Sequence, residues 1–299
     1  MAQQNQEENP SATTCSDSSH INQCTADHHM VLRQRTNPNT GILDEQVLCL
    51  VFRHLNWDPQ TLCSTACTSR RLRAVAERVL FFELCLSRAP RLVSSLVAAC
   101  STLPLGKSGS APRIPGGWSA LAKLLLFCCG CKPSRFFPLS NAVPGHFVAV
   151  SRFSKTSGQS FLLRRFWGDL LYVSDPCEHG SPAEEDQDLG AYRGVFCGFM
   201  RSHTRACLVE RNVKLETQIR CPYCGARVWS MSGASLIPKH AARRLGSQVN
   251  RMEYFVCVYG HLHGSCWLAR LSSDDDDTDD ESNDDDERDD EPDGDKNLT

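Results

Sequence analysis

The chain has 299 residues, of which 41% are hydrophobic, so it has room for two modest domains, and its formal net charge is only -3. That small net charge hides an asymmetry: residues 274–295 hold 16 acidic side chains against one basic, Arg288, while the residues before them carry 30 Lys+Arg against 19 Asp+Glu. No apolar run approaches the ~18 residues of a membrane-spanning helix. The opening Met1-Ala2-Gln3-Gln4-Asn5-Gln6 lacks the basic start and apolar core of a secretory signal. Seventeen cysteines in that setting argue against a disulfide scaffold and for reduced thiols, some on metal, in the nucleus or cytosol.

Residues 1–36 are rich in Gln, Asn, Ser and Thr, so this segment is expected to be disordered. Cys15, His20, Cys24, His28 and His29 fall within it at spacings that match no tight metal site. Three short helices follow. In the first, residues 44–55, Leu43, Val47, Leu50, Val51 and Leu55 share a face, and Asp44 and Glu45 place negative charge at the N-terminus. Asn56-Trp57-Asp58-Pro59 breaks it; Asp58 is a cap for the second helix, with Pro59 at its first position. That helix carries Leu62, Ala66 and Cys67. Ser69 caps a third, in which Leu72, Val75, Val79, Phe82 and Leu86 step by three and four residues. A unit this small has little core of its own and carries spare apolar surface.

Residues 91–103 read as a further helix, 104–117 as a Pro/Gly loop, and 118–129 as helix again. Cys128-Cys129-Gly130-Cys131 ends it. Adjacent cysteines at a helix end read first as small buried hydrophobes, although metal ligation is the sharper alternative. From His146 the period turns towards strands, with Phe161-Leu162-Leu163 and Leu170-Leu171-Tyr172-Val173 as β-rich runs. Residues 181–188 form an acidic loop, 194–199 a possible strand, and 206–209 fit neither pattern cleanly. The tail after 272 is too charged to bury anything. Its Ser272, Ser273, Thr278 and Ser282 each have an acid three residues on, the setting acidophilic kinases prefer.

Cys221-Pro222-Tyr223-Cys224-Gly225 carries the strongest chemistry. Two cysteines at this spacing, with a glycine to permit the knuckle turn, present two thiolates to one tetrahedral ion. Cys257-Val258-Tyr259-Gly260-His261 supplies a second knuckle 32 residues later. The predicted ligands of a structural Zn²⁺ are Cys221, Cys224, Cys257 and His261, with His263 and Cys266 near enough in sequence to compete for the fourth place. Tyr254-Phe255-Val256 is the expected strand into the second knuckle, and Trp229 is expected to pack on it and shield the thiolates. No HExxH, P-loop, dinucleotide fingerprint or GxSxG is present, so no catalytic residues are proposed.

The order Ile42-Leu43, Val47-Leu48, Val51-Phe52, Leu55, then Leu62 and Cys67-x-x-Arg70-Arg71-Leu72, resembles the F-box. Asp44 stands where that family usually has proline, and Leu72 where it often has tryptophan. The strings 151–163 (SRFSKTSGQSFLL) and 171–179 (LYVSDPCEH), together with the two knuckles and Trp229-Ser230-Met231, resemble plant F-box proteins of the Empfindlicher-im-dunkelroten-Licht type across residues 42–271. The resemblance implies a substrate receptor of an SCF ubiquitin ligase, acting in the nucleus on phytochrome A or abscisic-acid signalling. It also implies a Skp1-like adaptor, and through it a cullin, as partners, with Leu43, Val47, Val51, Leu55, Leu62 and Leu72 buried in the adaptor's groove.

The expected architecture is α+β. An F-box at 41–88 precedes further helices and a mixed or mainly β receptor region, 89–271, with a zinc-ribbon-like part at 219–267, and both termini are disordered. The F-box and the zinc part are expected to have separate cores. The competing function is a zinc-dependent nucleic-acid-binding regulator, favoured by the basic body. Arg70-Arg71, Arg164-Arg165 and Arg243-Arg244 are short and scattered, without an aromatic-interleaved stripe, which favours the adaptor.

Overall fold

The computed structural model describes residues 44–100, 112–130, 144–149, 151–157, 161–179, 189–238, 241–245 and 247–268. Leu43, Cys131, the acidic loop and the expected disordered ends with their serines and threonine lie outside these residues. The described residues, all between 44 and 268, fall in one compact unit.

The helical part starts as capping chemistry dictates. Asp44 accepts from the Gln46 amide at 2.8 Å and the Val47 amide at 3.4 Å, opening α1 (Glu45–His54). The acid at the family's usual proline position is therefore the helix cap. Asn56 and Trp57 turn the chain through positive φ. Asp58 then accepts from the Thr61 amide at 2.8 Å and opens α2 (Pro59–Thr68), with the proline at the first helical position. Ser69 accepts from the Leu72 amide at 3.1 Å and opens α3 (Arg70–Val75). The third expected helix continues through one π-helical turn (Ala76–Leu80) into α4 (Phe81–Arg88). Two more helices follow, α5 (Pro90–Cys100) and α6 (Trp118–Leu126).

The remainder is a seven-stranded antiparallel sheet: β1 (Phe153–Ser157), β2 (Leu170–Ser174), β3 (Cys177–His179), β4 (Leu189–Cys197), β5 (Val228–Ser230), β6 (Ser247–Cys257) and β7 (His261–Leu268). The order across the sheet is β1-β2-β4-β7-β6-β5, with β3 paired to β4 beside β2. The short α7 (His203–Glu210) and α8 (Ala241–Arg244) lie between strands. The fold is α+β, as expected. Phe161-Leu162-Leu163 departs from expectation. Phe161 and Leu162 are fully buried, but the segment leads into a 3₁₀ turn (Arg164–Phe166) and joins no ladder. Its apolar run packs on the sheet face, with the Tyr254 hydroxyl donating to the Phe161 carbonyl at 3.0 Å. The ambiguous stretch 206–209 is helical within α7.

Strand alternation sends side chains to two cores. On one face Leu171, Val173, Tyr192, Phe196, Trp229, Tyr254, Val256 and Leu262 pack with Phe161, Phe166 and Leu208. On the other, Tyr172, Val195, Val228, Phe255 and Cys257 join Leu62, Val75, Leu80, Leu92, Leu121 and Leu124 of the helices. The N-terminal helices and the two cysteine knuckles therefore share one continuous core. Separate cores were expected because the two motifs lie far apart in sequence; α5 and α6 bridge them in space. The Ser95 hydroxyl on α5 lies 2.9 Å from the Tyr172 hydroxyl on β2, which adds a polar tie across the same junction.

Arg193 on β4 is buried in that junction. Its Nε donates to the Leu124 carbonyl at 2.5 Å and its Nη2 to the Leu125 carbonyl at 3.3 Å, with further donation to Ser151. Its guanidinium lies 5.4 Å from the Phe153 ring. The last carbonyls of α6 have no partner within the helix and carry the negative end of its dipole, so a cation placed there satisfies both needs.

Candidate functional site

Two features stand out above the scaffold, and each begins with helix or strand periodicity. On α1 the inward face is Leu48 and Phe52, both buried, with Phe52 stacked on Trp57 at 6.2 Å. The opposite face carries Val47, Leu50, Val51 and Leu55, exposed at 40%, 54%, 46% and 45%. These four make up nearly half of the nine exposed large hydrophobic residues among those described. They follow each other at helical spacing, so they form one stripe and not scattered surface. Glu45 pairs with Arg78, fixing the helix against the π-turn with the stripe outward.

Of the predicted docking residues, Val47, Val51 and Leu55 are thus together on an open face. Leu72 is half-buried against the core. Leu62 is placed differently: it has no exposed surface and packs in the shared core, so it presents nothing for a partner to bury. The apolar position on the second helix is taken up by packing within the fold. Leu50, absent from the predicted docking set, joins the stripe through the same periodicity that placed Val47 and Val51.

The second feature is the cysteine–histidine centre. The ligand atoms of Cys221, Cys224, Cys257 and His261 all lie within 4.8 Å of one another. Sγ of Cys224 and Sγ of Cys257 are 3.8 Å apart, and His261 Nδ1 lies 3.8, 3.4 and 3.6 Å from the sulfurs of Cys221, Cys224 and Cys257. A tetrahedron with Zn–S about 2.3 Å and Zn–N about 2.0 Å has edges of about 3.8 Å between sulfurs and ~3.5 Å from sulfur to nitrogen. The donors therefore already stand at ligand spacing. Gly225, with φ of 73°, closes the first knuckle as its amide donates to the Cys221 carbonyl at 2.9 Å. In the second, Gly260 has φ of 89°, and the amides of Tyr259 and His261 donate to Cys257 Sγ at 3.4 and 3.3 Å. Such amides neutralise part of a thiolate's charge and fix its direction.

The electrostatics agree. Hydrogen bonds from the Cys221 and Cys257 side chains hold the Cys224 thiol far below its usual range, whereas burial pushes Cys221 well above it. Burial pulls His261 down, but contact with the Cys224 and Cys257 sulfurs outweighs it and raises the imidazole to about 9. Without an ion, the imidazolium offsets the negative sulfur in this buried place; a cation bound there would do so instead, with the imidazole giving up its proton to become a donor.

His261 is the histidine in the cluster; His263 and Cys266 are elsewhere. His263 stacks on Phe255 at 5.5 Å, and burial, followed by the charge of His261, pushes it down to about 4. Cys266 points into the opposite core. Tyr254-Phe255-Val256 runs in β6 directly into the second knuckle, as expected. Trp229 does not shield the thiolates. It faces the other core and its indole N–H donates to the Val213 carbonyl at 3.1 Å. Tyr223 takes that place, edge-on to His261 at 6.4 Å.

A capped helical module with a solvent-facing apolar stripe, sharing its core with an antiparallel sheet that gathers three thiols and an imidazole, makes an α+β chain with one apolar face left open and a cluster that could hold a metal ion. Comparison with known proteins sharpens this class. Residues 134–267 match the family described as EID1-like F-box protein 2 C-terminal domain. The chain is 54% identical over 240 residues to EID1-like F-box protein 3 of Arabidopsis thaliana, covering 80% of this chain and 84% of that one. It is 44% identical over 236 residues to EID1-like F-box protein 1 of the same plant, covering 79% and 77%. The Phytochrome A-associated F-box protein, also of Arabidopsis thaliana, is 28% identical over 120 residues, covering 39% and 34%. No solved structure matches. The chain belongs to the EID1-like F-box family.

Proposed function

We propose that the chain is the substrate-receptor subunit of an SCF-type ubiquitin ligase, an adaptor with no catalytic residues of its own. The α1 stripe docks on a Skp1-like protein and through it on a cullin, while the region after α5 holds a protein client. Catalysis is then positional: the receptor raises the client's effective concentration beside a ubiquitin-loaded enzyme. The observation that carries this reading is the outward apolar stripe of α1 in a chain of the F-box family. Buried inside the fold, those four side chains would be ordinary core; open to solvent, they lose apolar burial until a partner covers them.

The client is a nuclear regulator in light or abscisic-acid signalling. A similar protein whose name ties it to phytochrome A supports the light branch. A fluorescent fusion excluded from the nucleus would overturn the localisation. The four-ligand centre holds Zn²⁺ as a structural ion, closing two knuckles that span 32 intervening residues.

Val47→Asp with Val51→Asp tests the docking face directly. Both residues are half-exposed, so the free protein should melt unchanged. Loss of well-packed interface contacts costs ~2–4 kcal/mol, so binding to a purified Skp1-like protein should weaken by about 30- to 700-fold. Wild-type affinity in the double variant would remove this face from the interface.

A further inference from the structure

The connection that leads into α6 meets the cysteine–histidine centre from a third segment of the chain. Ile114-Pro115-Gly116-Gly117 puts proline at the second and glycine at the third position of a turn, the residue order of a type II turn. The Gly117 amide donates to the Ile114 carbonyl at 3.1 Å, and Gly116 has φ of 80°, the conformation that turn requires at its third position. Trp118, at the start of α6, anchors the turn to the helices. Its indole N–H donates to the Pro112 carbonyl at 2.7 Å, and its ring stands edge-on to Phe82 of α4 at 4.8 Å.

At Gly116 the turn backbone lies against the His261 imidazole. A Cβ there would stand 2.6 Å from His261 Cε1 and 3.2 Å from Nε2, too close for a side chain, whereas a Cβ at Gly117 would meet nothing within 4 Å. The turn thus borders the Cε1–Nε2 edge of the ring while Nδ1 stays 3.8, 3.4 and 3.6 Å from the sulfurs of Cys221, Cys224 and Cys257. We propose that Gly116 is a positioning residue for the centre: its bare Cα leaves the space in which His261 lies with Nδ1 towards the three sulfurs. The proposal rests on the reading of that centre as a zinc site.

Two demands meet at residue 116, and only one of them is local. A φ of 80° favours glycine at 116, and a φ of 83° favours it in the same way at 117, so the backbone accounts for both glycines. The imidazole accounts for Gly116 alone. A side chain at 116 has to displace either the turn or the ring. The turn is held by the Trp118 contacts and by Ile114, which is buried in the helical core, so the ring is the part that yields. A displaced ring takes Nδ1 away from the sulfurs. Groups that orient a ligand without touching the ion are worth about 10- to 100-fold in metal affinity. The centre is then built from three segments, the two knuckles and the turn into α6, which gives the helical layer a direct hold on one ligand.

The test is the zinc affinity of the full chain, by competition with a chromophoric chelator under reducing conditions, for the wild type, Gly116→Ala and Gly117→Ala, with circular dichroism to establish that each folds. Both variants strain the backbone in the same way, so Gly117→Ala should bind zinc as the wild type does, and Gly116→Ala about 10- to 100-fold more weakly. Wild-type affinity in Gly116→Ala, or equal losses in the two variants, would overturn the proposal. The His261→Cys background separates the ring from the backbone, since a fourth thiolate, smaller than the imidazole, also completes a zinc site. There Gly116→Ala should cause no further loss of zinc affinity or of folding. The same loss in both backgrounds would show that the turn needs glycine for its own sake, which also overturns the proposal. A wild type that binds no zinc would remove the metal reading and this inference with it, whereas a zinc-binding wild type matched by Gly116→Ala would remove this inference alone.

Discussion

Replacing Cys221 by serine should do more than empty one corner of the fold. Cys221 is fully buried, and with Cys257 it belongs to the core cluster that also holds Leu62, Val75 and Leu80 of the F-box helices. Structural zinc in small knuckle peptides contributes an apparent ~10–16 kcal/mol, comparable to the ~5–15 kcal/mol net stability of a whole domain. Loss of the ion also leaves two thiols and an imidazole without the partner they are set to hold. Even a third of the metal's contribution, about 5 kcal/mol, lowers the melting temperature by ~10–20 °C in a domain of this size. The measurements are zinc content, thermal melting, limited proteolysis and affinity for the Skp1-like protein. We expect the zinc to be lost, new cleavage in β5–β7, and adaptor affinity to fall with it because the core is shared. A variant that melts within a few degrees of the wild type, or that retains its zinc, would refute the assignment of these ligands. Lost zinc with unchanged adaptor binding would refute the coupling alone.

Substitutions at two further positions probe the scaffold. Asp169 is buried and accepts from the His203 and Thr204 amides at 3.0 and 2.7 Å and from the Thr204 hydroxyl at 2.7 Å, so Asp169→Ala strips the start of α7 and should cost about 1–3 kcal/mol by urea unfolding; a midpoint unchanged from the wild type would count against this cap. Arg193→Lys keeps the charge but loses the fork that reaches two carbonyls, and we expect it to cost about 1–2 kcal/mol and Arg193→Met more. Equal stability of the wild type and both variants would show that the end of α6 is satisfied in another way.

The helix starts were legible because their signals are local. An acid or hydroxyl accepts an amide two or three residues on, and Asp58 and Ser69 do so where the spacing placed them, while Asp44, read as N-terminal negative charge, also caps its helix. The gathering of Cys221, Cys224 and Cys257 into one cluster was legible for a similar reason: a knuckle is a few residues long and declares itself by spacing. Which histidine joins the cluster was less so, because His261 and His263 differ only in what their shared strand face meets. His261 meets the sulfurs and His263 meets Phe255. Leu62 was misplaced because periodicity gives a stripe without saying whether the stripe meets solvent or a neighbour. Phe161-Leu162-Leu163 reads as strand for the same kind of reason, since an apolar run signals burial and the ladder depends on partners far along the chain. Arg193 and Asp169 had no local signal at all. Each is a charged residue whose role is set by a helix end that sequence alone does not bring to it.

The shared core bears on how such a receptor would work. Positional catalysis needs a fixed distance and angle between the docking face and the client, since placement is what replaces chemistry here. A flexible linker between an F-box and a separate receptor domain would spread the client over many positions. In this fold α1 is held on one side by Leu48 and Phe52, and the core they enter continues through Leu92, Leu121 and Leu124 to Tyr172, Val195 and Phe255 of the sheet. Arg193 fastens the end of α6 to β4 within the same layer. The four-ligand centre lies against that layer too, because Cys221, Tyr223 and Cys257 are part of it. A metal on those ligands would therefore stiffen the connection between the docking helix and the sheet as well as the knuckles. On this argument the centre would matter to a ligase containing the proposed receptor through geometry, and variants that loosen it should reduce client ubiquitination even where some adaptor binding survives.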